Sequence, residues 1–136
     1  MSNNNKSRRE SKRDLNLINL GEDEIPHLPD GMVVAKDLTL YDLPSLVALP
    51  KNLKVGGELI ILQCHALVEM PEGLKADQIC ILNCKGLETF SAEVRDKLCI
   101  MNCPALKRIA IPDECHAKIG VHYCTGVEVV TLGEQS

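Results

Sequence analysis

The chain has 136 residues, of which 45% are hydrophobic, and this is enough apolar material for the core of one domain. It has only two Tyr, one Phe and no Trp, so the predicted core is almost wholly aliphatic. Residues 1–13 carry a charge of +4 within a total of −4, which leaves −8 for residues 14–136. The sequence shows neither an apolar run of membrane-spanning length nor a secretory signal peptide, so we expect cytoplasmic synthesis without general secretory export.

The N-terminal segment 1–13 has no apolar residue after Met1. It cannot bury enough surface to offset its ordering entropy, and it is predicted to be a disordered basic tail. Four interpretations of this tail remain open: a solubilising leader, a nucleic-acid-binding arm, a contact with anionic membranes, and a non-cleaved signal for a specialised bacterial secretion system.

Residues 38–130 repeat one apolar pattern five times. The offsets between repeats are 21, 20, 19 and 21 residues, and the repeats begin at Leu38, Leu59, Ile79, Leu98 and Ile119. Self-similarity at this period predicts a solenoid in which each coil packs on its neighbours. A degenerate sixth coil, expected to form an N-terminal cap, is recognised at Leu15, Leu17 and Leu20. The predicted solenoid covers residues 14–131 and is followed by a short tail at 132–136.

Equivalent positions of the five repeats are predicted to stack as columns along the solenoid axis. The second column contains Leu40, Ile61, Ile81, Ile100 and Val121, and the third contains Leu43, Cys64, Cys84, Cys103 and Cys124. The fourth contains Leu46, Leu67, Leu87, Leu106 and Val127, and the fifth contains Leu49, Met70, Phe90, Ile109 and Val130. Alternation of side chains around the first two columns predicts a strand of about four residues per coil.

The segments 49–59 and 70–76 have a Pro after the fifth column and a Gly before the next strand. Together with the columns, they resemble the short leucine-rich repeats of bacteria and phages, including the proline-containing type of pathogen effectors. The resemblance implies a curved parallel β-sheet with turns, extended or 3₁₀ segments on the outer face, and a binding scaffold delivered as a small effector by specialised secretion. The chain departs from that family at the third column, where Leu or Cys replaces Asn and a thiol must substitute for the amide.

Seven cysteines raise the question of a disulfide, a redox site or a zinc site. Four of them occupy the third column, whereas Cys80 and Cys99 lie at strand positions that face the opposite way, so the thiols of Cys80 and Cys84 diverge. Cys115 is aligned with the core positions Leu53, Leu74 and Val94. We therefore expect reduced thiols, no metal and no cofactor, with Cys80 and Cys99 as the closest outward pair.

Catalysis is not predicted. His65, His116 and His122 are the histidines that could partner a thiol, but the repeated register supplies no base and oxyanion donor around a nucleophile. No phosphate-binding loop or paired-carboxylate motif is present, and we expect neither an enzyme nor a small-molecule substrate.

The exposed face of the predicted sheet carries apolar side chains where a solvated sheet would carry polar ones. The predicted partner-binding residues are Ile60, Leu62, Cys80, Leu82, Cys99 and Met101, with Tyr41 and His122 beside them. Polar residues flank this group on both sides, as in protein interfaces. The pattern favours a protein partner, with self-association and covering by the chain itself as alternatives. Nucleic-acid binding through the basic tail is a further alternative, but the acidic body would repel that polymer.

Overall fold

In the computed structural model, the chain is a parallel β-solenoid, and this confirms the fold class predicted from the repeats. The structure describes residues 10–11, 15–18, 28–112, 117–124 and 126–131. Within these ranges every regular element is a strand and every strand pair is parallel.

The main sheet contains eight strands. They are β1 (Glu10–Ser11), β2 (Leu15–Ile18), β3 (Val33–Val34), β4 (Leu38–Tyr41), β5 (Lys54–Leu62), β6 (Lys75–Leu82), β8 (Glu93–Met101) and β10 (Lys118–His122). Each coil places its strand directly beside the equivalent strand of the next coil, so the sheet runs the length of the solenoid.

The pairing register confirms the first two predicted columns. The first column stacks Leu38, Leu59, Ile79, Leu98 and Ile119, and the second stacks Leu40, Ile61, Ile81, Ile100 and Val121. The predicted sixth coil is also in register, because Leu15 pairs with Leu38 and Leu17 with Leu40. Leu17 is buried in the same stack. Leu20 lies outside the described residues.

The strands are longer than the predicted four residues, because β5, β6 and β8 turn a corner of the coil without ending. Gly56 and Gly57 lie at this corner, where the lack of a side chain lets the β5 backbone approach the preceding coil closely. A Cβ at Gly56 would stand 2.2 Å from the Ala35 carbonyl oxygen, and one at Gly57 would stand 2.2 Å from Asp37 Oδ1. A register shift here, after Val55 in β5, absorbs the one-residue difference in coil length.

A second sheet lies on the outer side of the last three coils. It contains β7 (Thr89–Ser91), β9 (Arg108–Ile111) and β11 (Glu128–Thr131). The outer face is therefore turn and extended chain in the early coils, as expected, but strand in the later ones. The strand pairing also corrects two predicted column positions. The first is Val130 in the fifth column, because Val129 and not Val130 is the partner of Ile109.

The second correction concerns Val94. It pairs with Ala76, which in turn pairs with Val55, so it does not occupy the Leu53 and Leu74 column to which it was assigned. The turn before Val94 is two residues shorter than the equivalent turn of the preceding coil. An apolar residue at the expected spacing does not show at which point of a coil the residues are missing. Cys115, assigned to the same column, lies outside the described residues.

The core is a single aliphatic stack enclosed by the two sheets and the turns between them. Phe90 is the one aromatic side chain among the described core residues, and no polar or charged residue of the described part of the chain is buried. Dispersion and hydrophobic burial therefore supply the side-chain contribution to folding. Of the segment expected to be a disordered tail, the structure describes Glu10 and Ser11, which pair with Val33 and Val34.

A left-handed residue follows the main strand of each of five coils. These residues have φ between 55° and 60°, and they are Asp42, Gln63, Asn83, Asn102 and Tyr123. The left-handed conformation turns the chain sharply out of the sheet, so that the next residue, in the third column, points back into the core. Asn tolerates this conformation better than Gln or Tyr, because its short side chain hydrogen-bonds locally.

Candidate protein-binding face

The outward side of the main sheet brings all eight predicted partner-binding residues together; we call it the sheet face. One of its columns contains Thr39, Ile60, Cys80, Cys99 and Gly120, and the other contains Tyr41, Leu62, Leu82, Met101 and His122. The side-chain period of a strand explains this placement, since residues one step from the core columns must point the other way.

Neighbouring coils pack the centre of the sheet face into a continuous surface. Ile60, Leu62, Leu82 and Met101 are half-buried by one another, because strands about 4.8 Å apart hold their side chains in contact. Tyr41 and His122, on either side of the central residues in their column, are exposed. The His122 imidazole leans along its strand toward Gly120, where an added Cβ would lie 3.4 Å from Nε2.

Sequence reasoning missed two residues of this surface. Asn16 pairs with Thr39 and Ile18 pairs with Tyr41, so both columns continue into β2. Ile18 is 47% exposed, a large fraction for an isoleucine on a sheet. The alternation of residues 15–18 repeats that of residues 38–41 and indicates these two positions, whereas the leucines alone indicate only the inward column.

A polar rim borders the sheet face on the side where the strands end. The left-handed residues form this rim, and the Asn102 side-chain amide donates a hydrogen bond to Asn83 Oδ1 across the two coils. On the opposite side, Glu58, Gln78 and Lys97 stand in register. Gln78 Nε2 donates to Asp96 Oδ2 at 3.3 Å. An apolar centre between two polar rows matches the anatomy of protein interfaces.

The Cys80 and Cys99 thiols are neighbours at the centre of the sheet face, in register on β6 and β8. Both are half-buried and neither is in a disulfide. Burial, followed by the charge and hydrogen bond of the neighbouring Cys99 thiol, raises the pKa of Cys80 to about 11. Cys80 is therefore a protonated thiol at neutral pH.

The third-column thiols have the opposite setting, because Cys64, Cys84 and Cys103 are fully buried. Each donates a hydrogen bond to the carbonyl oxygen two residues earlier, with sulfur–oxygen distances of 3.5 Å, 3.6 Å and 3.5 Å. This bond ties the thiol to the backbone of the left-handed turn. Cys124 makes the same bond to the His122 carbonyl oxygen at 3.4 Å.

Burial raises the pKa of Cys64 above its ordinary value of 9.0. In the adjacent pair, a hydrogen bond donated by the Cys84 thiol to Cys103, together with burial, raises the pKa of Cys84. Both side chains lie among aliphatic ones, where a thiolate is poorly solvated. We therefore expect both thiols to stay protonated at neutral pH.

The histidines considered for catalysis are dispersed. His65 is exposed, and its Nδ1 accepts a hydrogen bond from the Lys85 backbone N–H at 3.2 Å, which links two coils. His122 stands beside Tyr123, with 6.5 Å between the ring centroids. His116 lies outside the described residues. Among the residues that the structure describes, no group of three or more His, Cys, Asp or Glu side chains converges on a point.

Comparisons with protein-family models, with curated proteins and with solved structures found no match to this chain. Within the described ranges, the structure contains no helix of the length and apolar character needed to cross a membrane.

Proposed function

We propose that the chain is a non-catalytic protein-interaction module whose sheet face binds a protein partner. The observation that carries the proposal is the register of β4, β5, β6, β8 and β10, which gathers the apolar outward side chains of successive coils into one surface. A leucine-rich-repeat-like scaffold in a bacterial or phage setting, exported by specialised secretion, is part of the same proposal.

The size and chemistry of the sheet face support this function. The six central side chains are half-buried and form a continuous apolar patch on the order of 300 Å², which is at the lower end of the range for the largest patch on a monomer. Ile18 and Tyr41 extend the patch by two more coils at its N-terminal end. Thioether and thiol groups at its centre adapt to a partner's shape more readily than branched chains, because they are flexible or small.

The decisive substitution is Leu82→Asp. The Leu82 side chain points away from the core, so the variant should keep the fold and its urea midpoint close to that of the wild type. At the centre of an interface, the new carboxylate would be desolvated without a partner. Binding should weaken by at least about 2 kcal/mol, which corresponds to roughly 30-fold in Kd.

Val68→Asp is the matched control, because Val68 is 43% exposed on a different side of the solenoid. Partner recovery from a pull-down and sedimentation of the purified protein are compared for the wild type and both variants. Loss of recovery in Leu82→Asp alone supports a protein partner, and loss of self-association in that variant alone identifies the partner as a second copy. If both variants behave as the wild type, the sheet face is not the binding surface.

A further inference from the structure

Two outward cysteines of adjacent coils have the placement of a disulfide that has not formed. Cys80 and Cys99 are register partners on parallel strands, and both side chains are half-buried on the outward side of the sheet. Adjacent strands lie about 4.8 Å apart. This spacing falls within the range of about 4.4–6.8 Å between the Cα atoms of bridged cysteines.

The same two coils contain a second pair of stacked cysteines, which differs in access. Cys84 and Cys103 are fully buried in the third column, whereas Cys80 and Cys99 are half-buried and outward. A dissolved oxidant can therefore reach the outer pair without opening the core. The inner pair is therefore a comparison for the effect of access, because its cysteines are also stacked but are shielded from a dissolved oxidant.

We propose that Cys80 and Cys99 form a dithiol modification site, which a two-electron oxidant such as hydrogen peroxide converts into a disulfide between the two coils. Cys80 and Cys99 lie within the proposed partner-binding face, but the oxidation does not rest on that function, because its chemistry requires no partner.

The reaction balances in two steps. One thiol loses its proton, and the thiolate attacks a peroxide oxygen; the O–O bond breaks, and a sulfenic acid and hydroxide form, which takes up the released proton to give water. The second thiol then attacks the sulfenic sulfur, the S–O bond breaks, and a second water leaves with the thiol proton. In total, two thiols and one hydrogen peroxide give one disulfide and two waters.

The geometry makes this disulfide a reversible one. In a parallel pair, the two Cβ atoms are held nearly at the strand spacing of about 4.8 Å, whereas bridged cysteines usually have Cβ atoms about 3.8 Å apart. The bond must draw β6 and β8 together locally, and such strain makes a disulfide easier to reduce. A small thiol reductant should restore both cysteines, and the reductant is oxidised to its own disulfide.

The test treats the folded, full-length chain with hydrogen peroxide, blocks the remaining thiols and digests the product with trypsin. Residues 76–85 and 98–107 form two tryptic peptides, and each contains one outward and one buried cysteine. We expect these peptides to be linked, the link to disappear on reduction, and the protein to remain a single chain on a non-reducing gel. Because the high pKa of Cys80 limits thiolate formation, the rate should rise as the pH increases from 7 to 9.

The variants decide which sulfurs are joined. Cys80→Ser and Cys99→Ser should each abolish the link, whereas the double variant Cys84→Val and Cys103→Val should retain it. A link that persists in Cys80→Ser, a link between two chains, or an alkylated Cys80 in the treated wild type would each overturn the proposal. Circular dichroism of the serine variants shows whether they are folded; if they are not, the fragment masses of the linked wild-type peptides locate the bond.

Discussion

Single residues at the strand ends determine how the coils turn. Five successive coils use a left-handed residue followed by an inward side chain, and in four of them that side chain is a cysteine whose thiol bonds to the carbonyl oxygen two residues earlier. A neutral thiol suits this place because it is small, tolerates an apolar environment and still donates one weak hydrogen bond. The turn thus needs no buried amide.

Gln63 is the left-handed residue at which a substitution is most expected to increase stability. It has φ of 55° with a long side chain, whereas Asn83 and Asn102 occupy the equivalent positions in the next two coils. Gln63→Asn should stabilise the protein by up to about 1 kcal/mol, because Asn pays less conformational strain and its amide can join the Asn83–Asn102 row. Urea unfolding measures the change, and Gln78→Asn, within a strand, is the control that should not stabilise.

The buried thiols also predict how stability depends on alkaline pH. The folded-state pKa of Cys64 and that of Cys84 lie above the ordinary value of 9.0 at which the unfolded chain titrates. Above pH 9 the unfolded state therefore holds fewer protons than the folded state, and the free energy of unfolding falls as the pH rises, by up to about 1.4 kcal/mol per pH unit for each thiol. The contribution is fully present below pH 9.

The variant Cys64→Val with Cys84→Val tests this dependence. Val should fill both places, since Leu43 occupies the same column and a buried thiol behaves as a small aliphatic group. Urea midpoints measured between pH 8 and pH 10.5 should fall less steeply for the variant than for the wild type. Equal slopes would show that these thiols ionise as readily in the folded chain as in the unfolded one.

At the scale of elements, the corner within the long strands is the feature that most restricts the sequence. β5 continues through the corner because Gly56 and Gly57 let its backbone pass close to the preceding coil. Gly56→Ala would place a Cβ against the Ala35 carbonyl oxygen, a backbone atom that cannot move away without disturbing the strand. We expect a loss of stability of about 2 kcal/mol or more.

Gly120→Ala is the matched control for this substitution. It lies in β10, and an added Cβ there would meet only the His122 ring at 3.4 Å, the flexible end of a side chain. Thermal unfolding of the two variants should therefore separate them, with a clear decrease for Gly56→Ala and little change for Gly120→Ala. A similar decrease in both would mean that loss of glycine in a strand, and not close approach, governs the effect.

The sequence predicted the strands whose side chains alternate between core and surface, and it did not predict the strands that lack this alternation. Side chains alternate between core and surface around Leu59 and Ile61, and this settles the register of the main sheet and the composition of its outward face. β7 has a single core residue, Phe90, between Thr89 and Ser91, so it leaves no period to recognise. The misplaced Val94 and Val130 have the same origin, because coils of unequal length shift the register at turns where no pattern marks the shift.

At the scale of the whole molecule, stability depends on the continuity of the stack. Leu67 and Ile81 are fully buried within it. Leu67→Ala or Ile81→Ala should each cost about 2–5 kcal/mol, through lost burial and a residual cavity. In a small domain this is a large share of the total free energy of unfolding. Val68→Ala, at the exposed residue next to Leu67, should leave the urea midpoint nearly unchanged, and equal midpoints for all three variants would contradict the assignment of the core.

The in-register stacking of coils that share one apolar pattern makes each coil a repeated structural unit. A coil contacts chiefly the coil before it and the coil after it. If one whole repeat were duplicated or lost in the gene, the remaining coils would therefore still make the same kind of contact with their neighbours. Such an event would lengthen or shorten the outward surface by one strand spacing, about 4.8 Å. The area of the outward surface can therefore change in fixed steps while the fold stays the same.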